Sequence, residues 1–105
     1  MTRSAAMDLE FPPTRYSIRP AGIFWTKVLD VFGFDAITVP GRRIYIRPSH
    51  INDQALINHE LAHIAQIDRD GPFVFWPMIV LDYLLCGYDR SPYEIEARRY
   101  EQSPR

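Results

Sequence analysis

The sequence predicts an α+β fold in one small domain. The chain has 105 residues, a usual length for a single domain, and 47% of them are hydrophobic, which is enough for a modest core. Two short runs rich in β-branched residues flank a Pro-Gly turn in the first half. Apolar residues recur at helical spacing in the second half. We therefore expect an N-terminal helix and a β-hairpin, followed by three further helices.

The first half of the chain divides into an arm, a helix and the hairpin. Residues 1–22 contain three prolines and several charges, and we expect an extended N-terminal arm there, with the domain over residues 23–105. The apolar segment from Ile23 to Phe32 is followed by a glycine, which predicts a helix with a glycine stop. The runs 36–39 and 44–47 predict the two strands of the hairpin.

Helical periodicity begins after residue 48. Three apolar residues at i, i+4 and i+7 form a stripe on one helix face: Ile57, Leu61 and Ile64. Ser49 or Asn52 is expected to cap the start of this helix, and Gly71 with Pro72 to end it. Because the stripe covers one face only, the polar residues on the rest of the helix are free to line a cleft.

Two helices are predicted in the C-terminal part. Phe73 to Leu85 reads as an apolar helix bent near Pro77, and Cys86 as a small buried hydrophobe. Its large apolar residues are expected mostly in the core, with a specificity pocket or a partner-docking face as the alternative: Phe73, Phe75, Trp76, Met78, Ile79, Leu81 and Leu84. Ser91 as cap, a proline after it and Glu94 three residues on predict a last helix opened by a capping box.

Charge and composition exclude several classes of function. The net charge is −1, with 12 basic and 13 acidic residues, so no electrostatic footprint for nucleic acid is present. A single cysteine excludes an internal disulfide and a multi-cysteine zinc site. The start of the chain lacks the apolar stretch of a signal peptide, and the apolar run 73–86 is shorter than the roughly 20 residues of a membrane span. We expect a cytoplasmic protein without a membrane span.

The most informative segment is 58–64, Asn-His-Glu-Leu-Ala-His-Ile. On a helix, His59 and His63 lie on one face, one turn apart, so both imidazoles can bind one Zn²⁺. Glu60 is rotated by roughly 100°, within reach of a water beside the ion but not of the ion itself. A carboxylate in that place acts as a general base. The pattern predicts metal binding by His59 and His63, with Glu60 as the catalytic base.

A catalytic zinc site of this type needs a third protein ligand. A metzincin would have a glycine at position 66 and a histidine at position 69, but Gln66 and Arg69 stand there. The later carboxylates therefore remain as candidates.

The motif of residues 59–63, followed by Ser-Pro-Tyr-Glu-Ile-Glu-Ala at 91–97, resembles the gluzincin clan of metallopeptidases in a minimal single-domain form. The resemblance covers residues 44–101. In that clan the third ligand is a glutamate on a later helix, commonly as Glu-x-x-Ala, and Glu94 with Ala97 matches this pattern. The resemblance implies a zinc metallopeptidase that cleaves a peptide or protein substrate.

The choice of third ligand lies between Glu94 and Glu96, which point in different directions on one helix. A capping-box role would account for Glu94 without a metal. Glu94 is favoured because Ala97, three residues later, would let the two helices approach closely. The clan often has Asp or Asn four residues after this glutamate to orient the first histidine. Arg98 stands there instead and cannot accept the imidazole N–H.

Peptide hydrolysis also needs a substrate-binding strand and a group that polarises the carbonyl. We expect Ile44 to Arg47 to be an edge strand that pairs with substrate, with a plain structural hairpin as the alternative. The candidates for polarising the carbonyl are unranked: His50, Tyr83, Tyr88 and Tyr93.

Two other interpretations of the sequence stay open. A non-catalytic, zinc-stabilised interaction module would use the ion to link the His59 and Glu94 helices, and would dock a protein partner on the aromatic segment 73–85. A metal-free helical protein would carry the two histidines by coincidence.

Overall fold

The computed structural model describes residues 9–102 and shows an α+β fold, as the sequence predicts. Residues 1–8 of the expected arm and 103–105 of the expected domain lie outside the described part. The strands precede most of the helical part. In chain order the elements are β1 (Ser17–Pro20), α1 (Ile23–Phe32), β2 (Ala36–Val39), β3 (Arg43–Ile46), α2 (Gln54–Asp70), α3 (Pro72–Leu85) and α4 (Pro92–Arg98), with 3₁₀ turns at Pro48–His50 and Tyr88–Arg90.

The sheet has the strand order β1-β3-β2. β3 pairs in parallel with β1 and antiparallel with β2, with Ile44 opposite both Ile18 and Thr38. The prediction that 44–47 forms an edge strand is therefore wrong, because both sides of β3 are already paired. β1 lies within the segment that the sequence predicts to be an extended arm. That segment has too few apolar residues to indicate a strand. The edge strand beside the helices is β2.

The ends of α1 and α2 follow from short local signals. α1 has the predicted bounds and ends at Gly33, whose φ of 72° is the left-handed conformation that glycine adopts at low cost. α2 ends before Gly71, also as predicted. Its cap is Asp53, whose carboxylate accepts a hydrogen bond from the Leu56 backbone N–H at 3.2 Å, so neither Ser49 nor Asn52 has that role.

The core forms on both sides of α2. The predicted stripe of Ile57, Leu61 and Ile64 packs against Ile44 and Ile46 of the sheet. A second cluster joins α2 to α4 through small side chains and Leu9: Ala62, Ala65 and Ala97. Ala97 is fully buried, so the expected close approach of the two helices is present. α2 is therefore held rigidly between the sheet and α4.

α3 packs through one face only. Phe75 and Ile79 are buried against Tyr93 of α4, whereas Phe73 and Leu84 are 87% and 79% exposed. The expectation of a mostly buried helix is wrong for a set of its residues, because the helical period carries them to the outer side: Phe73, Leu81, Leu84 and also Cys86, which follows the helix. No helix within residues 9–102 is both long and apolar enough to cross a membrane.

Candidate metal centre

The two histidines of α2 are buried side by side. His59 and His63 are each 5% exposed, and their ring centroids lie 5.0 Å apart. Both Nε2 atoms face the same carboxylate: His59 Nε2 lies 2.7 Å from Glu94 Oε1, and His63 Nε2 lies 3.1 Å from Glu94 Oε2. The predicted ligands from two helices are therefore brought together at one point.

Glu94 reaches the histidines because it does not take part in a capping box. The Ser91 side chain makes no capping hydrogen bond, and its Oγ instead contacts Asp82 Oδ2 of α3 at 3.3 Å. Glu94 is fully buried and receives a third hydrogen bond from Tyr83 Oη at 2.5 Å. The capping-box interpretation is thus wrong at the level of side chains, although α4 begins at the predicted residue.

Charges reinforce this contact between α2 and α4. Burial alone would lower the pKa of His63, but the hydrogen bond and negative charge of Glu94 outweigh it and raise that pKa from 6.5 to about 9. Burial alone would raise the pKa of Glu94, yet the hydrogen bonds from His59 and His63 hold it well below its usual range. Without a metal, the pair behaves as a buried ion pair.

Glu60 lies on the sheet side of the same helix face. Its Oε1 accepts a hydrogen bond from Thr38 Oγ1 of β2 at 2.9 Å, and the residue is 6% exposed. Ligand atoms of His59, Glu60 and His63 all lie within 4.8 Å of one another. No sequence pattern singles out Thr38, because its role depends on how the sheet is placed against α2.

A cavity of about 130 Å³ opens next to these groups. Glu60, His63 and Glu94 contribute charged groups to it. Its remaining lining residues come from the connection before β2, from β2, from α3 and from the 3₁₀ turn after α3: Phe34, Ala36, Ile37, Thr38, Phe75, Trp76, Ile79, Val80, Tyr83 and Tyr88. Part of the apolar segment 73–85 thus lines a pocket, as one of the sequence-based alternatives proposed.

The outer nitrogen of His59 has a carboxylate partner that the sequence did not indicate. His59 Nδ1 lies 2.8 Å from Glu101 Oε2, in the turn that follows α4. Asn58 holds this turn through a 3.1 Å hydrogen bond to the Glu101 carbonyl. Arg98, at the position expected from the gluzincin pattern, contacts Asp89 instead. Glu101 lies beyond the last residue of α4, so no helical spacing in the sequence indicates this contact.

The remaining candidates lie elsewhere or have other partners. Glu96 contacts Arg69 and Gln66, at 2.6 and 2.9 Å, and does not approach the histidines' Nε2 atoms. Tyr93 is buried and donates to Asp70 at 2.9 Å, and His50 lies beside acidic residues before α2. Of the four candidates for polarising a carbonyl, Tyr83 and Tyr88 border the cavity.

The donor atoms gathered here, imidazole nitrogens and carboxylate oxygens, are of the kinds that bind divalent metal ions. Ligand bonds of about 2.0–2.1 Å in a tetrahedron place neighbouring ligand atoms about 3.3 Å apart. The Nε2–carboxylate contacts, at 2.7 and 3.1 Å, are shorter than this and involve two different oxygens of Glu94, so a bound metal ion would replace both hydrogen bonds. His59, His63 and Glu94 are the side chains that could hold such an ion, with Glu60 beside them on Thr38.

Comparison with known protein families, with curated proteins and with solved structures finds no match to this chain. The function therefore has to be inferred from the chemistry of the residues themselves.

Proposed function

We propose that the protein is a zinc-dependent peptidase of the gluzincin type, in which His59, His63 and Glu94 bind Zn²⁺ and Glu60 is the general base. The observation that carries the proposal is the convergence of both Nε2 atoms on the buried Glu94 carboxylate. Two imidazoles and one carboxylate form a usual donor set for catalytic zinc, which leaves one position for a reactant. Held by these three residues, a zinc ion would supply Lewis acidity to the scissile carbonyl and to the attacking water.

Glu60 has a different role from Glu94 because its surroundings differ. Both carboxylates border the cavity, but Glu94 receives hydrogen bonds from His59, His63 and Tyr83, whereas Glu60 receives one from Thr38. That hydrogen bond fixes the carboxylate with one oxygen on Thr38 and leaves the other for a proton. Glu60 accepts the proton of the attacking water and delivers it to the leaving amine.

The cavity and the edge strand supply the substrate site. β2 lies at the edge of the sheet within the described residues, and Ala36, Ile37 and Thr38 border the cavity. An extended peptide can add to this edge by backbone hydrogen bonds, which would set its scissile bond beside Glu60. The apolar walls from α3 favour a large apolar side chain next to the cleaved bond.

Tyr88 is the group that we assign to the developing oxyanion. Burial, the charges of Glu94 and Glu60 and a hydrogen bond to Glu94 raise its pKa above the ordinary value of 10, so its hydroxyl stays protonated and able to donate. The Tyr83 hydroxyl borders the same cavity and donates to Glu94 Oε2 at 2.5 Å.

The decisive experiment compares wild type with Glu60→Gln, using Glu96→Gln as a matched control. Each zinc-loaded protein is incubated with a mixture of unmodified peptides, and new termini are identified by mass spectrometry while bound zinc is measured by inductively coupled plasma mass spectrometry. We expect about one zinc per chain in all three, cleavage next to apolar residues by wild type and Glu96→Gln, and none by Glu60→Gln.

The other outcomes separate the remaining interpretations. Zinc in wild type without any cleavage would refute the peptidase and leave a zinc-stabilised interaction module. Cleavage that persists in Glu60→Gln would refute the assignment of the general base. Absence of zinc after reloading at neutral pH would refute the metal site itself.

A further inference from the structure

Gln66 connects the candidate metal centre to a buried polar network on its far side. It is fully buried on α2, three residues after His63, and a helical side chain tilts back toward the residues that precede it. Its Oε1 lies 2.9 Å from His63 Nδ1. Its Nε2 lies 2.9 Å from the Tyr93 carbonyl oxygen and 2.9 Å from Glu96 Oε1.

The partners of Gln66 allow only one orientation of its amide. A carbonyl oxygen and an ionised carboxylate can only accept hydrogen bonds, so the amide NH₂ must face Tyr93 and Glu96. The reversed amide would set its oxygen against both acceptors. The amide oxygen therefore faces His63, and it can be satisfied only if His63 Nδ1 carries a hydrogen.

The network behind Gln66 prevents its amide from turning. Glu96 is held by Arg69 Nη1 at 2.6 Å, and Arg69 makes two 3.0 Å hydrogen bonds to the Asp70 carboxylate. Each member is largely buried, and these contacts link α2 to α4. Within the described residues no buried side-chain nitrogen or oxygen lacks a partner, so the network is complete.

We propose that Gln66 is the positioning residue that fixes His63 with hydrogen on Nδ1 and the lone pair on Nε2, directed at the metal position. This inference rests on the proposed metal site. The Gln66 amide oxygen faces His63 Nδ1 as the Glu101 carboxylate faces His59 Nδ1, but the amide adds no charge. Such partners of a ligand histidine typically change metal affinity about 10- to 100-fold.

Gln66→Met tests the proposal, because methionine keeps the length of the side chain but lacks the amide oxygen and NH₂. Gln54→Met is the matched control, since Gln54 is an exposed glutamine in the first turn of the same helix and donates to Asn58 Oδ1 at 2.9 Å. Zinc affinity is measured by competition with a chromophoric chelator. We expect Gln66→Met to bind zinc about 10- to 100-fold more weakly than wild type, and Gln54→Met to stay within about twofold.

A spectroscopic readout tests the same proposal without a variant. In zinc-loaded wild type, long-range ¹H–¹⁵N correlation spectra report which ring nitrogen of His63 carries hydrogen. We expect hydrogen on Nδ1, protected from exchange with solvent, and faster exchange of that hydrogen in Gln66→Met. Coordination of His63 through Nδ1, or rapid exchange of the Nδ1 hydrogen in wild type, would overturn the proposal even if Gln66→Met does not fold.

The possible failures can be told apart. Unchanged zinc affinity in Gln66→Met would overturn the role of Gln66 alone. Zinc binding by wild type with the expected His63 spectrum, but without peptide cleavage, would overturn the peptidase and leave the positioning role in place. No zinc in wild type would overturn both.

Discussion

Replacing Glu94 by glutamine should separate the two acidic candidates on α4. The change keeps the shape of the side chain and removes the charge that both imidazoles face. Glu96→Gln removes a charge two residues away that faces Arg69 instead. We expect Glu94→Gln to lose more than about 100-fold in zinc affinity, because a ligand should matter more than an outer partner, whereas Glu96→Gln should lose at most about 10-fold.

In the metal-free protein, the contact between His63 and Glu94 should contribute to the free energy of unfolding. His63 has a pKa of about 9 beside Glu94, against 6.5 for the ordinary side chain, and each pKa unit corresponds to about 1.4 kcal/mol. The pair therefore contributes roughly 3 kcal/mol to the free energy of unfolding. Removing one partner of a buried pair typically costs about 3–5 kcal/mol, which agrees with this value.

The sign of the pH dependence follows from the direction of the shift. The pKa of His63 is raised by folding, so its contribution is complete below the unfolded value of 6.5 and is lost as the pH rises through about 9. Urea unfolding of metal-free wild type and Glu94→Gln at pH 6 should differ by roughly 3 kcal/mol, a shift in midpoint of about 1–3 M. The difference should shrink by pH 10. A constant difference from pH 6 to pH 10 would refute the ion pair.

Three further predictions concern the other parts of the site. Thr38→Val should lower kcat about tenfold while zinc stays bound, because Glu60 loses the hydroxyl that fixes it, whereas Thr26→Val, in α1, should leave kcat unchanged. Tyr88→Phe should lower kcat about 10²- to 10³-fold at nearly constant KM, and an effect on KM alone would contradict its role at the oxyanion. With free zinc at 100 times its Kd, removing the zinc should lower the free energy of unfolding by about 3 kcal/mol. Scanning calorimetry should then show a fall in Tm of about 10–20 °C.

The features of the fold that the sequence predicts well are those set by near neighbours in the chain. The end of α1 follows from a glycine, the end of α2 from Gly71 and the buried stripe from a spacing of three and four residues. The sequence does not predict β1, because a parallel strand pairs with a distant segment and nothing in Ser17–Pro20 itself indicates its partner. The same omission led to the wrong assignment of β3 as an edge strand.

The site shows the same division between local and distant information. His59, Glu60 and His63 are placed by one helix, so their geometry was predictable from their spacing. Glu94 needed a second helix, and the local signal of a capping box there indicated a different partner for its carboxylate. Thr38 carries no signal at all, because a threonine in a strand usually has no role beyond packing.

The contacts that orient the proposed ligands are also the contacts that hold α4 in place. α4 has seven residues, too few to be stable alone in water, where helices shorter than about 12–15 residues are marginal. Gln66 of α2 binds the Tyr93 carbonyl in the first turn of α4, and Asn58 binds the Glu101 carbonyl in the turn after it. Glu94 reaches His59 and His63 between these two contacts. Because each of these side chains comes from α2 or points toward it, a change that loosens α4 must also misplace the third ligand. Metal binding and the placement of α4 are therefore coupled. A bound metal would stabilise α4, and α4 in turn supplies Glu94 as a ligand.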